Sequence, residues 1–139
     1  MIQKMSHATI YVLDQDVAKE FYAEKLGFEV KSDNTFPNGF RWLTVIPKGQ
    51  LDFEIALVKV GTSSRKVDEK DIEELTTLLG KGLLSSGAFH TADCRKTFEE
   101  LKAKGVEFTQ EPTDQFYGVL AVFKDPFGNV FSMTQPKNI

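Results

Sequence analysis

The chain has 139 residues and a formal net charge of −3, so one domain able to bury roughly two thirds of its unfolded surface is expected. Its lysines are scattered among acids and leave no basic footprint for nucleic acid. One cysteine cannot form an internal disulfide, no apolar run approaches the ~20 residues of a membrane span, and MIQKMSHATIYVLD lacks the continuous apolar core of a secretory signal.

These exclusions predict a cytoplasmic protein whose partners are a small-molecule ligand or a second copy of itself, with no nucleic acid and no membrane. Residues 7–13 alternate Ala8, Ile10 and Val12 with His7, Thr9 and Tyr11, the period of a strand with one packed face. Asp14 or Asp16 can cap a helix whose apolar positions are Val17, Ala18, Phe21 and Tyr22, ended by Gly27. Strands follow at 28–32, 40–46 and 52–60, so the first module, residues 5–60, runs βαβββ.

Ile72, Leu75 and Leu79 then follow a helical period that Gly80 stops. This linker helix, 66–80, has an acidic first turn suited to the positive end of its dipole. The βαβββ order returns over 85–136. It comprises a strand at 87–91, a helix from Asp93 carrying Cys94, Phe98 and Leu101 on one face and ended by Gly105, and strands at 106–111, 116–123 and 130–135. GFEV (27–30) and GVEF (105–108) follow the two helices alike, and duplication of one module is the simplest account. The last strand follows the turn formers Asp125-Pro126-Phe127-Gly128-Asn129 and alternates apolar with polar residues, which aims Ser132 away from the core.

HATIYVLDQDVAKEFYAEKLGFEV, the strand DFEIALV, the helix CRKTFEELKAKGVEF and the turn-strand DPFGNVFSM resemble the vicinal oxygen chelate superfamily over nearly the whole chain. That superfamily holds the glyoxalase I, bleomycin-resistance and extradiol dioxygenase proteins. The resemblance implies an α+β fold in which two βαβββ modules form a curved mixed sheet. Its open cup is lined by the first and last strands of each module and completed by a homodimer. It does not by itself fix a reaction.

In metal-dependent members, one position on the first and one on the last strand of each module supplies His, Glu or Gln. The resemblance carries these to His7 and Glu54 in the first module. Taking Asp14 and Asp93 as equivalent caps maps His7 to Ser86, Thr9 to Ala88 and Tyr11 to His90, with Phe89 toward the helices; a slip by one would substitute Gly87 for Ser86. The remaining ligand position falls on Ser132. Neutral hydroxyls are poor transition-metal ligands, and two protein ligands rarely make a strong site. His90 does not restore the set, because four strand residues separate it from Ser86 by about 13 Å.

The expected protein is therefore a bleomycin-resistance-like binder of a small, planar or partly apolar organic molecule, with no cofactor. Its ligand-binding candidates are Thr9, Tyr11, Trp42, Ser86, His90, Tyr117 and Ser132. His7 and Glu54 are the catalytic candidates, or else a hydrogen-bonded pair. The rivals are a lyase or dioxygenase with a divalent metal on His7 and Glu54, and metal-free acid–base catalysis by the same two residues. Cys94 fits a core position better than a reactive thiol. Alternation leaves open whether Arg41 or Trp42 faces the cup.

Overall fold

Two aspartates organise the path of the chain. After β1 (His7–Val12), the Asp14 carboxylate accepts hydrogen bonds from the Asp16 and Val17 amides and starts α1 (Gln15–Lys19). After β5 (Ser85–His90), Asp93 accepts from the Lys96 amide and starts α3 (Cys94–Ala103). The structure, a computed structural model, describes residues 1–62 and 66–137. It divides into two compact units, Met1–Thr76 and Thr77–Ile139.

In the first unit, α1 runs on as a π-helical segment (Glu20–Lys25) where a regular helix was expected. β2 (Glu29–Thr35), β3 (Arg41–Ile46) and β4 (Glu54–Lys59) follow. The sheet order is β1-β4-β3-β2, with β1 parallel to β4 and the other pairs antiparallel. After α2 (Glu69–Gly80), the second unit adds β6 (Glu107–Gln115), β7 (Gly118–Lys124) and β8 (Val130–Pro136) to β5 and α3. Its order, β5-β8-β7-β6, repeats the first. This is the expected α+β fold of two βαβββ modules. Strand bounds shift in three places: β2 runs on to Thr35, β6 runs on to Gln115, and Phe116 and Tyr117 form the turn between β6 and β7, so β7 starts only at Gly118. Among the described residues no helix is long and apolar enough to cross a membrane.

Alternation sorts the two faces of each sheet. Ile10, Val12, Leu43, Val45, Ile55 and Leu57 are buried with Ala18, Phe21 and Tyr22 of the first helix. The second unit is packed largely by rings. Phe89 lies 5.0 Å from Phe131 and 6.2 Å from Phe123, and Phe98 meets Phe108 edge-on at 4.7 Å. Cys94 is fully buried beside the Met133 carbonyl, and burial pushes its thiol pKa up. It is a core residue.

The turn into β8 is a buried polar knot. Asp125 accepts from the Phe127 and Asn129 amides at 2.9 Å and from Asn129 Nδ2 at 2.7 Å. Within it Gly128 has φ 105°, and a Cβ there would overlap the Leu79 carbonyl oxygen at the end of α2. Gly39 has φ 89° but open space around it. Urea melts are expected to show Gly39→Ala costing about 1 kcal/mol and Gly128→Ala about 3 kcal/mol. Equal losses would mean that the close approach to α2 carries no weight.

Candidate functional site

The parallel ladder between β1 and β4 sets His7 beside Glu54, Thr9 beside Ala56 and Tyr11 beside Val58. Partners in a ladder point the same way, so these residues share the face opposite the helices. β3 adds Trp42 and Thr44, because Thr44 partners Ala56. Glu54 Oε1 accepts from Thr44 Oγ1 at 2.7 Å, and Glu54 Oε2 lies 3.6 Å from His7 Nε2. His7 Nδ1 is 2.9 Å from Ser6 Oγ, and its ring centroid lies 5.7 Å from that of Trp42. The side chains of His7 and Glu54 are 37% and 27% exposed, so this is an accessible pair and not a sealed one.

Beside this pair a cavity of about 430 Å³ is lined by Thr9, Tyr11, Asn38, Phe40, Trp42, Val58 and Thr62. None of these side chains carries a charge at neutral pH. Thr9, Tyr11 and Trp42 were expected to line it. Phe40 could have been added from alternation with Trp42, and Thr44 likewise as a partner of Glu54. Asn38 and Thr62 lie in loops, where no periodicity marks them.

The choice between Arg41 and Trp42 is decided by charge. Arg41 donates to both oxygens of Asp33 at 2.8 and 3.0 Å and to Asp16 at 2.7 Å, while Lys19 donates to Asp33 at 2.7 Å. Arg41 and Lys19 hold the Asp33 carboxyl well below the usual carboxylate range, and the two aspartates raise the Arg41 pKa further. This network ties α1 to β2 and β3. With Arg41 held there, Trp42 takes the cavity side.

The second unit does not reproduce the His7–Glu54 arrangement. Its β5–β8 ladder slips between Ser85 and Gly87, and Ser132 partners Ala88 rather than Ser86. Ser86 Oγ instead donates to Asn129 Oδ1 at 2.9 Å, in the knot that precedes β8. Ser132 is half-buried, and His90, partner of Thr134, is exposed. Tyr117 lies in the β6–β7 turn with its ring 5.1 Å from that of Phe116.

These residues fit a transition metal poorly. Among the described residues no group of three His, Cys, Asp or Glu side chains is placed to hold a metal ion. His7 and Glu54 offer two donors, one carboxylate oxygen already bonded to Thr44; in the second unit the counterpart of His7 is the hydroxyl of Ser86, and the ladder registers make Val130, not Ser132, the counterpart of Glu54.

Comparison with known proteins identifies the family of this fold. The Bacillus subtilis (strain 168) protein YurT, uncharacterized, is 40% identical over 134 residues, covering 95% of this chain and 98% of YurT. The crystal structure of UcmS2 shares 45% identity and a TM-score of 0.91 over 97% of this chain and 99% of its own. TnmS3, an antibiotic binding protein from Streptomyces sp. CB03234, shares 30% identity and a TM-score of 0.75 over 98% of each chain. The family model for the glyoxalase/bleomycin resistance protein/dioxygenase superfamily matches residues 4–133, and the chain belongs to that superfamily.

Proposed function

We propose that the protein binds a small, planar, uncharged organic molecule against Trp42 and releases it unchanged. The cavity of the first unit carries this reading. Tyr11, Phe40 and Trp42 offer flat apolar surface, Thr9, Asn38 and Thr62 offer a few hydrogen-bonding groups, and about 430 Å³ suits a drug-sized ligand. The description of TnmS3 as an antibiotic binding protein supports sequestration as the biological role. Ser86, His90, Tyr117 and Ser132 are proposed as further ligand-binding residues. A single buried thiol suits a cytoplasmic setting.

Acid–base chemistry at His7 and Glu54 is the second reading, favoured by their ladder partnership and by the hold of Thr44 on one carboxylate oxygen. Calorimetric titration with the neutral aromatics flavone and acridone separates the two. One-to-one binding is expected, weakened at least about tenfold in Trp42→Ala, with each compound recovered intact. Absence of binding by either compound would overturn the proposal, and conversion of a bound compound that stops in Glu54→Gln would favour the second reading.

Metal-independent binding is part of the proposal. Elemental analysis after purification without chelators is expected to find far less than one equivalent of transition metal. A full equivalent of zinc, nickel, iron or manganese that disappears in His7→Ala would defeat it.

We also propose that two copies complete the cup. β1 is an edge strand whose His7, Thr9 and Tyr11 are exposed in the single chain, and the family resemblance pairs such a face with another module. Sedimentation at micromolar concentration should give twice the 15.6 kDa chain mass. A stable monomer would leave the site to one chain.

A further inference from the structure

The cavity opens where a ladder stops. β3 and β4 pair only at Thr44↔Ala56 and Val45↔Ile55, whereas the equivalent β7–β8 ladder runs through seven pairs, from Gly118↔Pro136 to Lys124↔Val130. Continuing the first register would make Leu43 partner Leu57, Trp42 partner Val58 and Arg41 partner Lys59. Trp42 and Val58 do not pair, and both line the cavity. As ladder partners they would stand about 4.5–5.5 Å apart, leaving no room for a ligand between them.

Gln15, the first residue of α1, bridges the two strands just beyond the last ladder pair. Its Nε2 donates to the Leu57 carbonyl at 2.9 Å and to the Arg41 carbonyl at 3.1 Å, one acceptor on each strand. The duplicated unit supplies an internal control. Gln15 follows the cap Asp14 as Cys94 follows the cap Asp93. The same register equates Leu57 with Met133, and Cys94 Sγ approaches the Met133 carbonyl at 3.7 Å. The short thiol reaches one strand, and there the ladder is unbroken. The longer amide reaches two strands, and there the ladder ends.

We propose that Gln15 is a positioning residue that holds β3 and β4 apart by satisfying both carbonyls, keeping the Trp42–Val58 cleft open for a ligand. The use of the cleft rests on the binding reading above; the opening of the ladder does not. Without Gln15, the Arg41 and Leu57 carbonyls regain partners most directly by resuming the ladder, with Leu43 N–H donating to Leu57 and Lys59 N–H to Arg41. The cleft then narrows. A site competent for one tenth of the time binds with an affinity about tenfold lower.

The test uses Gln15→Cys, the residue the repeat carries, and Gln15→Leu, which keeps bulk and removes the donor. Three quantities are measured: amide hydrogen exchange, acrylamide quenching of Trp42 (the sole tryptophan), and flavone affinity. In wild type the Leu43 and Lys59 amides should exchange at least about tenfold faster than those of Ala121 and Gln135, their repeat counterparts. In both variants exchange at Leu43 and Lys59 should slow, Trp42 quenching should fall, and flavone should bind about tenfold more weakly. Unchanged exchange and quenching in a folded variant would overturn the role of Gln15, whatever flavone does. Should both variants fail to fold, equal wild-type exchange at the two sets of amides would overturn it. Slowed exchange with no flavone binding even in wild type would uphold Gln15 as the strut and remove the ligand reading instead.

Discussion

The carboxylate of Asp14 is the interaction on which the first unit depends. By accepting from two amides it ends β1 and starts a helix within two residues, a cap worth about 1 kcal/mol by itself. Its larger effect is geometric. It fixes the position from which Gln15 spans β3 and β4, and from which Asp16 and Lys19 reach the Arg41–Asp33 pair. A side chain outside the cavity lining thus places the helix residues that hold Arg41 on the side of β3 away from Trp42. Asp93 plays the same part in the second unit, but there the helix delivers Cys94 to a closed ladder and a ring-packed core.

Much of this was legible in the sequence because it rests on periodicity and local caps. Alternation separated Ile10 and Val12 from Thr9 and Tyr11, and the repeated Asp-to-Gly helix frames exposed the duplication. What escaped depends on partners far away in the chain. Arg41 turns toward the helix because its acids come from α1 and β2, and no pattern within β3 says so. Ser86 is drawn to Asn129, 43 residues on, and the ladder slips beside it, so a position assigned by counting from the helix cap takes a different neighbour. The turn at Phe116 and Tyr117 escaped because two aromatic residues read as strand, and only Gly118 at φ 148° marks its end. Gln15 gave no signal at all, since a glutamine in the first turn of a helix reads as solvated surface.

Family membership and site chemistry point to separate conclusions. The superfamily defines two units of one topology and leaves the reaction open. Here one module keeps an imidazole and a carboxylate, and the other has spent its corresponding hydroxyl on a turn that anchors β8. The aromatic surface is unequally used as well. In the second unit Phe89, Phe123 and Phe131 pack on each other, while in the first Trp42 faces a cavity.

That division of labour is energetically accessible because each unit has a core of its own. Opening a β ladder inside an isolated sheet would strand acceptors, at about 1–3 kcal/mol for each one left buried and unsatisfied. The first unit avoids that penalty: a single amide replaces the bonds to Arg41 and Leu57, and the apolar contacts of Leu43, Val45, Ile55 and Leu57 on the helix side remain buried. A cleft can therefore form on one face of the sheet without loosening the other. The length of the residue after the helix cap is one of the differences between the two copies. Amide at that position accompanies a ladder that ends early, and thiol one that runs on through seven pairs.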